Sequence, residues 1–212
     1  MNNKLLKIAT LINIDDKVVD IGCDHGYLSI YLAKNKICNK IIASDINENA
    51  LNNAIGNIEK ERLNNKIKVI ISDGLQNIDK DIDTAVIAGM GTNTILNIIK
   101  NSPIDIKKYI ISSNNDYELL RRKMLDYGYF LHKEIVVKDN NKYYPIMVFT
   151  HEQKELTDIE LRLGLYSIEN RDYYNYLNNK YNKIINTIPN NHNNKIIELE
   201  SIIKDINNYL NR

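Results

Sequence analysis

Four short apolar segments of this sequence each end at an acidic residue or at glycines, which are residue types that bind or activate ligands. Asp20, Asp45 and Asp73 stand at the ends of the first three segments, and residues 89–91 follow the fourth. Parallel α/β sheets bind ligands at the carboxyl ends of their strands. The four endings therefore predict one ligand site, and the alternative is that they are four unrelated helix caps.

The loop after the first segment distinguishes two classes of cofactor. Residues 22–26 form a turn that leads into a helical pattern beginning at Tyr27, so the first N–H groups of that helix face the loop. In the dinucleotide fingerprint G-x-G-x-x-G, the middle glycine lets the backbone approach a pyrophosphate. Asp24 occupies that place and would repel phosphates, whereas the sulfonium and amino groups of S-adenosylmethionine (SAM) favour carboxylates. Asp20 and Asp24 therefore favour SAM over NAD, unless both acids are merely solvated in a turn.

The other acids match further parts of such a cofactor. The interval from Asp20 to Asp45 is close to that at which an acid binds ribose hydroxyls in βαβ nucleotide sites. Asp73 is placed to accept a hydrogen bond from the adenine amino group, and the small residues of 88–91 allow a ligand close to the backbone. The predicted cofactor-binding residues are Asp20, Gly22, Cys23, His25, Gly26, Asp45, Ile46, Ser72, Asp73, Gly74, Ala88, Gly89 and Met90.

The segments Asp20–Leu28 and Ala88–Gly91, with Ser113 and Asn114 after the next strand, resemble a known family. It is that of the bacterial tRNA (adenine-N1)-methyltransferases, which modify the adenine at tRNA position 22. The resemblance extends over essentially the whole chain and implies a SAM-dependent enzyme with tRNA as its partner. Two positions depart from the family pattern, because Thr92 stands where glycine is usual and Ser113 where proline is frequent. Both departures concern the substrate pocket and leave the cofactor site unchanged.

Methylation of adenine N1 makes modest demands on an enzyme, because this nitrogen already carries a nucleophilic lone pair and mainly needs positioning. The product is a cation, and a carboxylate that accepts a hydrogen bond from the N6 amino group would stabilise the developing charge. Asp24 is the candidate for this catalytic role, since it lies in the first turn and matches the Asp-His pair of the family. Asp20 is expected to orient the methionine amino group, and Asn114 to contact the base.

The residues after the fourth segment argue against methylation of the exocyclic amino group. Enzymes for that reaction commonly carry Asp or Asn, two prolines and an aromatic residue there, because the lone pair of that nitrogen is delocalised into the ring. Residues 88–91 contain neither the amide oxygen nor the aromatic ring, so N1 is favoured over N6. The alternatives are another SAM-dependent RNA or small-molecule methyltransferase, an NAD-dependent oxidoreductase and a non-catalytic RNA-binding protein.

The composition indicates a globular protein with room for one α/β domain and an appendage. The chain has 212 residues, of which 43% are hydrophobic and 26% charged. Neither a membrane-spanning run nor a signal peptide is recognisable, so a cytoplasmic protein is expected. Two cysteines without a Cys/His cluster predict neither a metal site nor a disulfide framework. A monomer is expected.

The formal net charge of +1 is low for a protein that binds nucleic acid. Basic residues are nevertheless concentrated in two segments, one after the fifth strand and one near the C terminus. They are candidates for phosphate contacts, although such clusters are frequently just solvated helix faces. The candidates are Arg121, Arg122, Lys123, Arg171, Lys180, Lys183 and Lys195.

A sheet must bring the four loops together, and the pattern of apolar residues predicts one. The expected fold is α/β, a class I methyltransferase (Rossmann-like) fold with a mostly parallel seven-stranded sheet and an antiparallel last strand. Asp139-Asn140-Asn141-Lys142 predicts the turn of a final hairpin. The expected elements are a helix over residues 4–13, strand–helix alternation to Asn101, a fifth strand over 109–112, a helix over 117–126 and hairpin strands over 129–138 and 143–150.

The pattern changes after residue 152, and a helical C-terminal domain is expected over residues 153–212. Gly164 is expected to end a short helix, after which apolar residues recur at steps of three and four on both sides of residues 189–194. That segment contains a proline and several asparagines and is not expected to continue a helix. This pattern predicts an antiparallel coiled-coil hairpin over about residues 171–211. We expect the hairpin to bind RNA, and the alternative is that it only covers apolar surface or forms a dimer.

Overall fold

The structure is a computed structural model that describes residues 2–189 and 192–212. The chain divides into two compact units, Met1–Lys154 and Glu155–Arg212, whereas the sequence pattern placed the division after residue 152. Within the described residues, no helix is both long and apolar enough to cross a membrane.

The first unit is built on a seven-stranded sheet. The strands are β1 (Lys17–Ile21), β2 (Lys40–Asp45), β3 (Ile67–Ile71), β4 (Thr84–Ala88), β5 (Lys108–Ser112), β6 (Phe130–Asp139) and β7 (Lys142–Thr150). Their order in the sheet is β3-β2-β1-β4-β5-β7-β6. β1 to β5 pair in parallel, and β7 is antiparallel to both β5 and β6. The predicted mostly parallel sheet with an antiparallel last strand is confirmed.

The central strands β1, β2 and β4 consist mainly of β-branched and small residues, because a parallel strand is covered by other elements on both faces. In the register of the sheet, Ile21 is level with Ser44 on one side and with Ile87 on the other. The loops after these three strands therefore begin at one edge of the sheet, as the sequence pattern predicts.

Five helices complete the first unit, as far as the structure describes it from residue 2 onwards. They are α1 (Asn3–Ala9), α2 (Tyr27–Lys34), α3 (Glu48–Lys60), α4 (Thr92–Lys100) and α5 (Tyr117–Asp126). The start of α3 is set by Asn47, whose side-chain oxygen accepts hydrogen bonds from the amides of Asn49 and Ala50 at 2.9 and 3.3 Å. This cap ties the helix to the end of β2 and so fixes the second loop.

Two elements differ from the prediction. The first helix ends at Ala9 and not at residue 13. The carboxylate of Asp16 accepts a hydrogen bond from the backbone amide of Asn13 at 2.7 Å, and this contact stabilises a turn in place of a further helical turn. Leu11 and Ile12 are buried beyond the helix end, so their apolar character extended the helical pattern too far. The connection from β3 to β4 consists of turns over residues 72–83 and interrupts the predicted strand–helix alternation.

The final hairpin has the turn that its sequence predicts. Asn140 and Asn141 have φ values of +48° and +62°, the left-handed conformations that a two-residue hairpin loop requires. Pairing between β5 and β7 ends at Ile111 and Met147. Residues 142–145 of β7 therefore extend beyond the carboxyl end of β5, on the side of the four loops, and pair with β6 alone.

Arg121 lies in the interior, contrary to its prediction as an RNA-binding residue. It is 1% exposed, and its Nη2 and Nε lie 2.5 and 3.2 Å from the two carboxylate oxygens of the buried Glu134 on β6. A side chain in this position cannot reach the phosphates of a tRNA. Leu120 and Met124, on the same face of α5, are also buried. The helical spacing of these apolar residues therefore indicated that Arg121 lies on the buried face, although its positive charge suggested an exposed position.

The second unit consists of helices. They are α6 (Asp158–Leu163), a 3₁₀ turn over Ile168–Asn170, α7 (Arg171–Thr187) and α8 (Asn193–Leu210). Gly164 follows α6 as predicted. The side chain of Asn178 in α7 donates to that of Asn207 near the end of α8 at 2.9 Å, so the two helices run antiparallel.

Aromatic residues contribute more to the second unit than the apolar spacing predicts. Tyr174 and Tyr209 are almost fully buried, and the Tyr209 hydroxyl donates to the Gly164 carbonyl at 2.8 Å. The predicted break over residues 189–194 is shorter, because α8 already begins at Asn193. Asparagine favours the first turn of a helix as well as loops. Asn190 and Asn191 of that segment lie outside the described residues.

The buried ion pair of Arg121 and Glu134 predicts an asymmetric response to mutation. Arg121→Met should lower the free energy of unfolding by about 3–5 kcal/mol, because Glu134 then remains buried without its partner. The double variant Arg121→Met/Glu134→Met should recover most of this loss. Urea unfolding followed by circular dichroism measures both values.

Arg122→Met provides the control, since Arg122 is partly exposed and pairs with Glu118 within the same helix. It should change the free energy of unfolding by less than about 1 kcal/mol. A similar effect of the two arginine variants would contradict a structural role specific to Arg121.

Candidate functional site

The loop after β1 is held against the end of β2. The amides of Gly22 and Cys23 both donate to the carbonyl of Ser44, at 2.8 and 3.0 Å. Gly22 has a φ of +70°, and a Cβ at this position would lie 2.3 Å from the side-chain methyl of Met90. The positive φ favours glycine at this position, and the close approach of Met90 brings the loop after β4 against the loop after β1.

Asp45 connects two of these loops through its side chain. One carboxylate oxygen accepts a hydrogen bond from the backbone amide of Asp24 at 3.3 Å, and the other accepts one from the backbone amide of Asn47 at 2.9 Å. The carboxylate is thus fixed in position at the carboxyl end of β2. Ile46, next to it, is 64% exposed and presents an apolar surface at the same edge.

Asp20 is the most deeply buried acid of the site. Its pKa is raised to about 6, mainly by burial and to a smaller extent by the charge of Asp45, although hydrogen bonds from Ser29, one of them from the hydroxyl at 3.0 Å, act in the opposite direction. A buried carboxylate that ionises reluctantly gains most from a cationic ligand. The structure therefore places a group suited to an ammonium or sulfonium ion beneath the first loop.

The remaining residues of the first loop differ in their exposure. Cys23 is buried, and burial together with Asp20 and Asp45 raises the pKa of its thiol, so it is neutral and not a nucleophile. Asp24 is 70% exposed, and its carboxylate lies 3.7 Å from Nε2 of His25. Gly26 precedes α2 with a φ of +69°. Asp24 is thus the acid of this loop that a substrate can reach.

The loop after β3 is attached to the same strand end. The amide of Ser72 donates to the Asp45 carbonyl at 3.0 Å, and the Ser72 hydroxyl donates to the carbonyl of Gly74 at 3.0 Å. Gly74 has a φ of +57°, which this turn requires. Asp73 lies between them with an exposed side chain, so the predicted third acid is present at the edge.

Asn114 joins the loops after β4 and β5. Its side-chain amide donates to the Gly89 carbonyl at 2.7 Å, and its backbone amide donates to the Met90 carbonyl at 2.9 Å. The residue is exposed, so its side-chain oxygen is accessible to a ligand. Ala88, the last residue of β4, is level with Ser112, the last residue of β5.

The two departures from the family sequence contact each other. The hydroxyl groups of Thr92 and Ser113 are 2.8 Å apart, and Thr92 also donates to the carbonyl of Asn115 at 2.6 Å. Both residues are fully buried. This hydrogen-bonded cluster, which the sequence pattern did not predict as a unit, connects the start of α4 to the loop after β5. The sequence indicated this cluster only through the fact that Thr92 and Ser113 both depart from the family pattern.

The predicted RNA-binding residues other than Arg121 lie on the surface. Arg122 and Lys123 lie on α5 and pair with Glu118 and Asp126 of the same helix, each at 2.9 Å. The second unit carries the other four in exposed positions on its two long helices, and they are Arg171, Lys180, Lys183 and Lys195.

The assembled loops suit a ligand with positive charge and hydroxyl groups. Asp45 lies close enough to Asp20 to raise the pKa of Asp20, and the exposed Asp24 and Asp73 follow β1 and β3 at the same sheet edge. Acids so arranged disfavour the pyrophosphate of NAD and match the amino, sulfonium and ribose groups of SAM. Across residues 2–189 and 192–212, no group of three or more His, Cys, Asp or Glu side chains is arranged to hold a metal ion.

Comparison with known proteins agrees with this geometry. Residues 1–147 match the family described as "Methyltransferase domain". A putative tRNA methyltransferase of Mycoplasma genitalium is 34% identical over 159 residues, which are 73% of this chain and 72% of that protein. The tRNA (adenine(22)-N(1))-methyltransferase of Bacillus subtilis is 30% identical over 152 residues, which are 70% of this chain and 64% of that protein.

A solved structure matches the entire chain. TrmK of M. capricolum, in complex with S-adenosyl-homocysteine, superposes with a TM-score of 0.87 and 32% identity, over 100% of this chain and 98% of that one. Fold, site and matches define a methyltransferase with a Rossmann-like sheet. The chain belongs to the TrmK family of tRNA methyltransferases. The predicted family and its SAM cofactor are confirmed.

The buried carboxyl of Asp20 predicts a pH-dependent stability. Its pKa is about 6 in the folded chain and near 3.8 in the unfolded chain, so the folded state binds the additional proton between these values. The free energy of unfolding of the parent should therefore fall by up to about 3 kcal/mol, relative to Asp20→Asn, as the pH rises from about 4 to about 7. Urea unfolding without cofactor at several pH values measures this, and parallel pH profiles would contradict it.

The cluster of Thr92 and Ser113 predicts energetic coupling. Thr92→Val should lower the free energy of unfolding by about 1–3 kcal/mol, because the buried Thr92 hydroxyl is lost as a donor to the Asn115 carbonyl, and Ser113→Ala by about 1 kcal/mol. The double variant should lose at least about 0.5 kcal/mol less than the sum of the two. Strictly additive losses in urea unfolding would mean that the two hydroxyl groups act independently.

Proposed function

We propose that this chain transfers a methyl group from SAM to N1 of the adenine at tRNA position 22. The observation that carries the proposal is the full-length match to M. capricolum TrmK, which binds S-adenosyl-homocysteine. The B. subtilis relative is named for the reaction at adenine 22. The four acids at one sheet edge, with a fixed Asp45 and a buried Asp20, support the same conclusion.

The cofactor side of the site is assigned to three acids. Asp20 binds the methionine amino group, because its buried carboxylate is stabilised by a cation. Asp45 binds the ribose hydroxyls, since both its carboxylate oxygens face backbone amides and are held rigidly. Asp73 accepts a hydrogen bond from the adenine amino group, and the exposed Ile46 provides an apolar contact for the adenine ring. SAM supplies an electrophilic methyl group to a site so arranged.

The substrate side is assigned to Asp24 and Asn114. The lone pair of N1 attacks without prior loss of a proton, so the residues must position the base and stabilise the cation that forms. The Asp24 carboxylate does this by accepting a hydrogen bond from the N6 amino group, and its 70% exposure makes it accessible. Asn114 contacts the base through its side-chain oxygen, since its amide nitrogen already donates to Gly89.

Recognition of the tRNA requires a wider surface than this edge. N1 lies on the Watson–Crick edge, so the target adenine must be unpaired before transfer. We assign phosphate contacts to the exposed basic residues and withdraw Arg121 from that set because it is buried. The helical unit then serves to hold the RNA, and the proposed enzyme is a cytoplasmic monomer. The residues assigned to RNA are Arg122, Lys123, Arg171, Lys180, Lys183 and Lys195.

The test uses unmodified tRNA and SAM with a labelled methyl group, and mass spectrometry locates the product. The parent should produce 1-methyladenosine at position 22. Asp24→Asn should reduce kcat about 10²-fold or more, with SAM affinity changed less than about threefold, because its carboxylate acts on the developing charge.

Asp45→Ala is the matched comparison at the same sheet edge. It should weaken SAM binding by about 1.5–3 kcal/mol, measured by calorimetry, because hydrogen bonds to a charged group are lost. No methylation of tRNA by the parent would disprove the proposed reaction. If saturating SAM returned the rate of Asp24→Asn to the parent value, Asp24 would act in cofactor binding and not in catalysis.

A further inference from the structure

Lys4 lies at the same sheet edge as the four acids, although it comes from α1. A Cβ at Gly89 would lie 3.8 Å from Nζ of Lys4, so the ammonium group lies beside the loop after β4. The carbonyl of Gly89 is also the acceptor for the side-chain amide of Asn114. Lys4 therefore stands next to a residue that we assign to the substrate, and the chemistry of methyl transfer leaves it without a role.

The surroundings of Lys4 do not neutralise its charge. The side chain is half-buried, and its Nζ lies 5.2 Å from the centre of the Tyr144 ring, on the part of the hairpin that extends beyond β5. Burial lowers the pKa of Lys4, and the charge of Asp139 offsets this in part. Within the part of the chain that the structure describes, its ammonium group takes part in no hydrogen bond or ion pair.

Other lysines of this unit behave differently, since Lys40, Lys68 and Lys123 each contact a carboxylate. A half-buried ammonium group without an acceptor is unfavourable in the free protein. Such a group is typical of a binding site whose ligand brings the acceptor. The ring of Tyr144 holds the ammonium group in place without using its three N–H donors.

The charge of the substrate decides which part of it fits Lys4. Methyl transfer makes the adenine ring cationic, so an ammonium group next to the ring would oppose the reaction. The anionic part of an RNA nucleotide is its phosphodiester, which an ammonium group binds with several donors at once. The nucleotide whose base reaches Asp24 and Asn114 must bring its backbone past the same loops.

We propose that Lys4 binds a phosphodiester adjacent to the methylated adenosine and thereby holds that nucleotide with its base in the site. This inference rests on the proposed function and deepens it, because it assigns a substrate contact to a helix outside the sheet. Lys7 provides a matched control, since it lies on α1 as well but its side chain is exposed.

The experiment compares Lys4→Met, which keeps the length of the side chain, with Lys4→Arg and Lys7→Met. Lys4→Met should raise the KM for tRNA about tenfold and lower the slope of log K against log[salt] for tRNA binding by about 0.7–0.9. SAM affinity should stay at the parent value, and the urea midpoint should not fall, because the half-buried charge that is removed is unfavourable in the free protein. Lys4→Arg should retain most of the tRNA affinity, because the charge remains.

A modified substrate locates the contact. Replacing either phosphate next to the target adenosine by a neutral methylphosphonate should, at one of the two positions, weaken the parent but cause no further loss in Lys4→Met. Full additivity at both positions, or equal tRNA affinity in Lys4→Met and Lys7→Met, would overturn the inference. A parent that binds tRNA without methylating it would instead disprove the proposed function, and the salt slopes would still decide the role of Lys4.

Discussion

The carboxyl end of β2 is the point on which the candidate site depends. Its last two residues receive hydrogen bonds from the loops after β1 and β3 and from the start of α3, through the Ser44 carbonyl and through both the carbonyl and the carboxylate of Asp45. A loop that fixes its backbone on a central strand cannot move independently of the sheet. The acids of three loops are therefore held at set distances before a ligand arrives, and ordering them costs little free energy on binding.

Charge is distributed unevenly along this edge, and burial makes the distribution effective. Acids lie where the cofactor is assigned, and burial raises the pKa of Asp20 to about 6, so that a bound cation favours its ionised form. Lys4 lies on the other side, beside the loop after β4. Exposed charges in water are largely screened beyond about 10 Å, whereas partly buried charges are screened much less and discriminate between cationic and anionic parts of ligands. Burial has the opposite consequence for Arg121, whose charge is paired with Glu134 in the interior and is not available to a ligand at the surface.

The sequence predicts the sheet well because each central strand is a compact apolar run that ends at a recognisable loop. It also predicts the hairpin turn, since two adjacent asparagines favour left-handed conformations. It fails where a residue type has two roles: Leu11 and Ile12 continue a helical pattern beyond the helix, and Arg121 carries a charge but belongs to the interior. Lys4 and the cluster of Thr92 and Ser113 were missed because they depend on contacts between segments far apart in sequence.

The contact between Thr92 and Ser113 restricts how such a chain can diverge. Each hydroxyl group is buried, and the loss of one leaves its partner or the Asn115 carbonyl with fewer bonds. We therefore expect a sequence with glycine and proline at these positions and a sequence with threonine and serine to be separated by less stable single variants. Mutational paths between them should pass through both sites in close succession. Relatives that carry one half of the pair are then expected to show a compensating change near Asn115.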